Sequence, residues 1–224
     1  MDLPFDEFTL AAATADLGEE PAARDDADCV EFRMDLAESP LDALAAYDGE
    51  LPLLVTNRAE WEGGEADDEG RVEALCEAVE HDAVAAVDVE LEAVAHGDGG
   101  EAVRAAHGND ASVVVSVHDF EATPPERELS RLLDRAADVG DVAKVAVTAT
   151  DRADTLALLS ATATATDEGH RVATMAMGEV GRHTRAVAPV YGSRIGYAPV
   201  DPERATAPGQ YDLSTLARLV ESLE

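Results

Sequence analysis

Eight short runs rich in Val, Ala and Leu recur along this 224-residue chain, at about 8–17, 29–36, 52–59, 83–91, 112–120, 142–149, 171–178 and 193–200. Several are apolar at every position instead of every second one. A strand with one wet face alternates, whereas a strand covered on both faces does not. Between most of the runs lie stretches with apolar residues at helical spacing, at 41–47, 72–79, 129–137, 155–166 and 213–223. Ser39 and Asp151 stand where helix N-caps are expected. Strands alternating with helices pair in parallel. Eight such units in one chain of this length predict an α/β fold, a (β/α)8 TIM barrel near the short end of its size range. A doubly wound open sheet is the other arrangement of the same units. No linker or internal repeat divides the chain, so residues 1–224 are expected to form a single barrel domain.

The 48 acidic and 16 basic residues leave a formal net charge of −32. With 46% hydrophobic residues this is a folding sequence with an acidic surface, not a disordered acidic tail. Such self-repulsion destabilises a compact fold in dilute buffer. At molar salt the Debye length falls to about 3 Å and the repulsion is screened, so a halophilic, salt-filled cytoplasm is expected. The excess carboxylates should lie on the outer helices, away from the barrel mouth. The charge excludes nucleic acid as a partner and disfavours anionic membrane surfaces. No apolar stretch approaches the ~18 residues of a membrane helix, and the N-terminus has no signal-peptide pattern. Cys29 and Cys76 lack metal-ligand spacing and are expected to be reduced thiols.

Lys144 is the only lysine; every other residue in the Lys+Arg total is arginine. It lies inside an apolar run, Asp141-Val-Ala-Lys144-Val-Ala-Val. Arginine would supply a permanent cation there. Only lysine gives an amine that can lose its proton and attack a carbonyl. The bland reading is a strand-end lysine that snorkels to solvent, but scarcity and setting favour a nucleophile. Burial and a neighbouring cation such as His118 or Arg33 would favour the neutral amine.

In a barrel, working residues gather at the C-terminal ends of strands. Glu31 and Arg33 share a face of the second run, and Arg58 ends the third. His118 ends the fifth, Lys144 lies in the sixth, and Arg185 follows the seventh. His118 alone among six histidines follows an apolar strand, Val-Val-Val-Ser-Val-His118, where a near-neutral group suits proton transfer.

Together these residues resemble type I 3-dehydroquinate dehydratase. Glu31-Phe-Arg33-Met-Asp matches that family's Glu-aromatic-Arg-x-Asp strand, and Arg58-x-x-x-Glu62-Gly-Gly its Arg-x-x-x-Glu-Gly-Gly segment. Ser116-Val-His118-Asp-Phe-x-x-Thr-Pro and Ala143-Lys144-Val-Ala-Val match the histidine and lysine strands. Met175-Ala-Met-Gly178-x-x-Gly181-x-x-Thr184-Arg185 and Ala205-Thr206-Ala-Pro208-Gly209-Gln210 complete the set in the family's order.

The resemblance implies a lyase of the shikimate pathway, usually a homodimer. It converts 3-dehydroquinate to 3-dehydroshikimate plus water, with no metal and no organic cofactor. It makes Lys144 the Schiff-base residue, His118 the general acid and base, and Glu62 the carboxylate that orients that histidine. Arg185 would grip the substrate carboxylate. Glu31, Arg33, Arg58, Thr206 and Gln210 would contact substrate hydroxyls or close a loop over them. Thr206 replaces the commoner Ser and Phe32 is one of the aromatics found at its position; neither touches the expected chemistry. Another Schiff-base barrel enzyme, such as a class I aldolase, would share Lys144 and the barrel. The His118-Asp119 motif and the Pro208-Gly209-Gln210 loop favour the dehydratase. A non-catalytic barrel would have no use for every matched residue.

Overall fold

A computed structural model describes residues 2–223. Eight strands, β1 Thr9–Thr14, β2 Cys29–Arg33, β3 Leu53–Thr56, β4 Val84–Glu90, β5 Ser112–Asp119, β6 Val142–Thr148, β7 Val172–Met177 and β8 Ile195–Pro199, fall one in each apolar run. All seven ladders are parallel and run in the order β7-β6-β5-β4-β3-β2-β1-β8. The seam between β7 and β8 carries one bridge, Val172 with Ser193. There Arg194 N–H donates to the Val172 carbonyl at 2.6 Å, and Ser193 Oγ accepts from Thr174 N–H at 3.0 Å. The sheet is therefore a nearly closed barrel, and the open-sheet alternative falls.

The helices are α1 Pro40–Ala45, α2 Arg71–Ala78, α3 Leu91–His96, α4 Gly99–Gly108, α5 Glu126–Ala137, α6 Arg152–Asp167, α7 Gly178–Gly181, α8 Thr184–Val187 and α9 Leu213–Glu221. Five match the expected helical stretches. The pair α3–α4 had no distinct signal in the sequence. Asp151 caps α6 as expected: it accepts from Ala153 and Asp154 N–H, while Asp154 reaches back to Asp151 N–H. Ser39 makes no side-chain cap bond; Pro40, with its φ pre-set for a helix, opens α1 instead. Among the described residues no helix is long and apolar enough to cross a membrane. Both cysteines are free.

The unbroken apolar runs are explained by packing on both faces of the strands. One face of the strands packs outward against the helices, through Val30, Phe32, Val55, Val87, Val113, Val115, Val145 and Val147. The other face points to the barrel axis, where Ala11, Cys29, Leu54, Ala86, Val114, Val142, Ala173 and Ile195 close over Leu3 and Phe5. Period-two alternation then places Glu31, Thr56, Asp88, Ser116 and Lys144 one layer higher on the same inner face. All five are buried.

Among the described residues only Glu20, Glu31, Glu62, Asp88 and Glu90 are buried acids; the surface carries nearly all of the excess charge. Lowering KCl lengthens the screening distance from about 3 Å at 1 M to about 10 Å at 0.1 M. Activity and far-UV circular dichroism should therefore fall together as salt is withdrawn. Neutralising several surface Asp and Glu residues should move that midpoint to lower salt. An unchanged melting temperature in about 0.05 M KCl, where screening is weaker still, would refute the expectation.

Candidate active site

All nine residues singled out from the sequence line one cavity at the C-terminal mouth of the barrel. Lys144 is at its floor, 4% exposed. Its Nζ donates to Asp88 Oδ2 at 2.8 Å, lies 4.0 Å from Glu31 Oε1 and sits 4.1 Å above the centre of the Tyr197 ring. The nearest charge is thus an anion, not a neighbouring cation of the kind that would favour the neutral amine. Arg33 is engaged elsewhere, in a two-pronged pair with Asp35 at 2.8 and 2.6 Å.

Asp88, which the sequence reading did not single out, organises this layer. Its Oδ1 accepts from Arg58 at 2.7 Å and from Ser116 Oγ at 2.6 Å. Burial opposes its ionisation, but Arg58 and Lys144 outweigh burial and hold its carboxyl well below the usual range. Arg58 follows β3 by two residues rather than ending it. It also meets Glu90 at 3.2 Å and Glu62 at 3.5 Å. Burial works against the charge on this guanidinium, yet Asp88, Glu90 and Glu62 outweigh it and push the group above its ordinary value. Glu90 is further fixed by Arg71 at 2.7 Å and by the Ala59 N–H. Glu31 accepts from Thr56 Oγ1 at 3.0 Å.

His118 Nδ1 lies 2.9 Å from Glu62 Oε2. Burial, then the cations Arg58 and Lys144, pull the imidazole well below its ordinary value, so it is neutral near pH 7. Burial pushes Glu62 up to about 8, against the pull of Arg58. The Glu-Gly-Gly segment has a local reason. Gly63 adopts φ 77°, and a Cβ there would come within 2.4 Å of the Phe120 ring. A Cβ on Gly64 would lie 2.0 Å from the Arg58 carbonyl oxygen. Only this turn lets Glu62 fold back under His118, whose outer face stacks on Phe120 at 6.0 Å between centroids.

Arg185, on α8, differs from the other buried cations. Its Nε has no partner and one amino group donates to the Pro208 carbonyl at 3.3 Å. Arg33, Arg58, Arg71 and Lys144 each contact a carboxylate, whereas Arg185 has none among the described residues. Burial therefore lowers it to about 10. A guanidinium buried without an anion has donors free for one. The loop above it is held by Gln210, whose Oε1 accepts from Thr206 and Ala207 N–H at 2.9 and 3.1 Å. Gly209, at φ 77°, lets the loop rest on Gly178, whose carbonyl oxygen would be 2.5 Å from a Cβ.

The mouth is thus not a purely basic pole. It is a paired lattice of charges with one guanidinium left open. The one group of His, Cys, Asp and Glu side chains close enough to share a cation, among the described residues, is Asp134, Glu168 and His170. It lies below the start of β7, at the opposite end of the barrel.

The profile of the family described as type I 3-dehydroquinase matches residues 9–224. The chain is 60% identical over 226 residues to 3-dehydroquinate dehydratase of Haloarcula marismortui, covering 99% of each chain. It is 52% identical to that of Halobacterium salinarum, over 99% of this chain and all of the relative. Among solved structures, 3-dehydroquinate dehydratase of Geobacillus kaustophilus superposes with a TM-score of 0.82 at 29% identity, covering 97% of this chain and 91% of the other. The Clostridium difficile type I enzyme, solved with covalently modified comenic acid, gives 0.85 at 26%, covering 97% and 92%.

Proposed function

We infer the reaction from kinship and site together: the chain belongs to the type I 3-dehydroquinase family, and it is a dehydratase that converts 3-dehydroquinate to 3-dehydroshikimate and water in the shikimate pathway. The division of labour among its residues is our proposal. The observation that carries it is a single buried lysine beside a neutral histidine, both opening into a cavity with an unpaired guanidinium.

Arg185 receives the substrate carboxylate, which fixes the ring over the floor. Lys144, as the neutral amine, adds to the substrate ketone; loss of water leaves an iminium. The iminium draws electrons from the adjacent C–H bond, and His118 removes that proton to give the enamine. The enamine expels the β-hydroxyl, to which His118 returns a proton. Water then releases the product and regenerates Lys144. Glu62 orients His118 through Nδ1. Arg58, Arg33 and Glu31 contact substrate hydroxyls, and Thr206 and Gln210 belong to the loop that covers them. We further propose that residues 1–224 act as one catalytic domain, that the protein works as a homodimer in the cytoplasm, and that it requires neither metal nor organic cofactor.

The test is the absorbance of the conjugated enone product when purified protein in molar KCl meets 3-dehydroquinate. In the same assay Arg185→Ala should chiefly raise KM, because a charge-assisted pair worth about 1.5–3 kcal/mol is lost. Arg185→Lys should rescue only part, since a point charge does not reproduce the fork. An unchanged KM in both variants would place the carboxylate elsewhere, and no enone from the parent protein would defeat the reaction itself.

A further inference from the structure

We propose that Asp88 is the resident counter-ion of the Lys144 nitrogen, neutralising the ammonium of the free enzyme and the iminium of the covalent intermediate in turn. This rests on Lys144 being the residue that forms the imine.

Charge conservation motivates it. Ammonium plus ketone gives iminium plus water, so the nitrogen carries one positive charge before and after the C–N bond forms and the C–O bond breaks. In between, the neutral amine must exist, its proton passing to a base and returning to the departing oxygen. A carboxylate held beside the nitrogen throughout favours both charged ends of this path. It also costs the enzyme some of the neutral amine needed in the middle.

The geometry singles out Asp88 over Glu31. Asp88 Oδ2 touches Nζ at 2.8 Å, whereas Glu31 is 4.0 Å away and occupied by Thr56. Oδ1 of Asp88 is held by two donors, Arg58 and Ser116. That grip leaves Oδ2 aimed at the nitrogen and keeps the carboxylate from following a departing proton. The side chain is wholly buried, so water does not screen it. On the opposite side the Tyr197 ring presents its face, which also favours a cation. The other charged or titratable groups facing the pair are Arg33, Glu62, Glu90 and His118, with Cys29 beyond Tyr197. Arg58 and, farther off, Arg33 act against a charge on the nitrogen; His118 is neutral there, and the acids act for the charge.

The chain itself supplies the measurement. With one lysine, lysine labelled with ¹⁵N at the ε position gives one side-chain signal, and its protonation can be titrated directly. Asp88→Asn should move that titration to lower pH by roughly 1–3 units, the usual effect of losing an opposite charge at contact. Borohydride trapping of the iminium at alkaline pH should fall at least about tenfold, the equivalent of one such unit. Asp88→Glu, which keeps the charge, should return the titration towards the parent value even if turnover stays low. Ser116→Ala removes one donor from Oδ1 and should move the titration the other way, to higher pH. This milder variant decides the sign if Asp88→Asn fails to fold. A titration that moves in none of them, or in the same direction for Asp88→Asn and Ser116→Ala, overturns the proposal and leaves Asp88 a structural partner of Arg58. Parent protein that traps no adduct on Lys144 overturns the imine assignment, and the counter-ion role with it; an adduct in the parent with unmoved titrations overturns the counter-ion role alone.

Discussion

Lys144→Met should abolish turnover, with a loss larger than the 10²–10⁴-fold that removing a proton-transfer group typically costs. Methionine keeps the length and most of the volume of the lysine stem, so the barrel floor stays filled. Asp88 keeps Arg58 and Ser116 as partners, so its charge is not stranded. The fold should therefore survive, and the far-UV spectrum and melting point in molar KCl check that it does. What is lost is the only side-chain amine in the chain. Borohydride added to the parent protein during turnover should attach the reduced ligand to the peptide containing Lys144; the variant should stay unlabelled. The sole competing primary amine is the N-terminal one, which peptide mapping separates. A parent protein that turns over substrate with Lys144 unlabelled would sink the imine assignment.

The residues that could be found in the sequence were those whose type is rare in their surroundings. One lysine in a chain of arginines, inside Val-Ala-Lys-Val-Ala, is conspicuous. A histidine following Val-Val-Val-Ser-Val is nearly so. Asp88 is as central as either and was hidden by its company, being one acid among 48. Its signal was present in the pattern Ala86, Asp88, Glu90: three alternate positions of one strand share the inner face. Two acids on a face that must be buried imply cations opposite them, and Arg58 and Lys144 were already in hand. Glu62 lies in an acidic, glycine-rich segment that reads as a solvated loop, and only the family motif marked it. Its placement depends on the positive φ of Gly63 and the tight approach of Gly64 to Arg58, both set by tertiary contacts. The barrel was legible because each strand falls in its own Val-, Ala- and Leu-rich run. The pair α3–α4 was not, because Gly99 and Gly100 read as a break and Ala-rich turns bury little distinctive surface. That an anion and not a cation stands beside Lys144 was not legible in the sequence, and it has a physical reason: in a buried mouth every arginine but Arg185 is matched to an acid, since an unmatched one is costly.

His118→Ala should leave substrate binding largely intact and lower kcat by about 10²–10⁴-fold. The reason lies in the neutral ring. Burial, Arg58 and Lys144 together disfavour imidazolium, so His118 enters the reaction able to accept a proton. Which nitrogen is free depends on Glu62, 2.9 Å from Nδ1. An ionised Glu62 accepts the proton on Nδ1 and leaves Nε2 as the base. A protonated Glu62 donates to Nδ1, and the ring's own proton then blocks Nε2. Because burial raises Glu62 to about 8, kcat should climb as pH rises through that region. Glu62→Gln keeps an acceptor for Nδ1–H and has nothing to ionise. Its plateau should drop, by about tenfold for an imidazolium stabilised by roughly 1.4 kcal/mol less, and the rise near 8 should flatten. Near-normal turnover in His118→Ala would return that residue to a structural role. A rise that persists unchanged in Glu62→Gln would show that some other group controls which nitrogen of His118 is free.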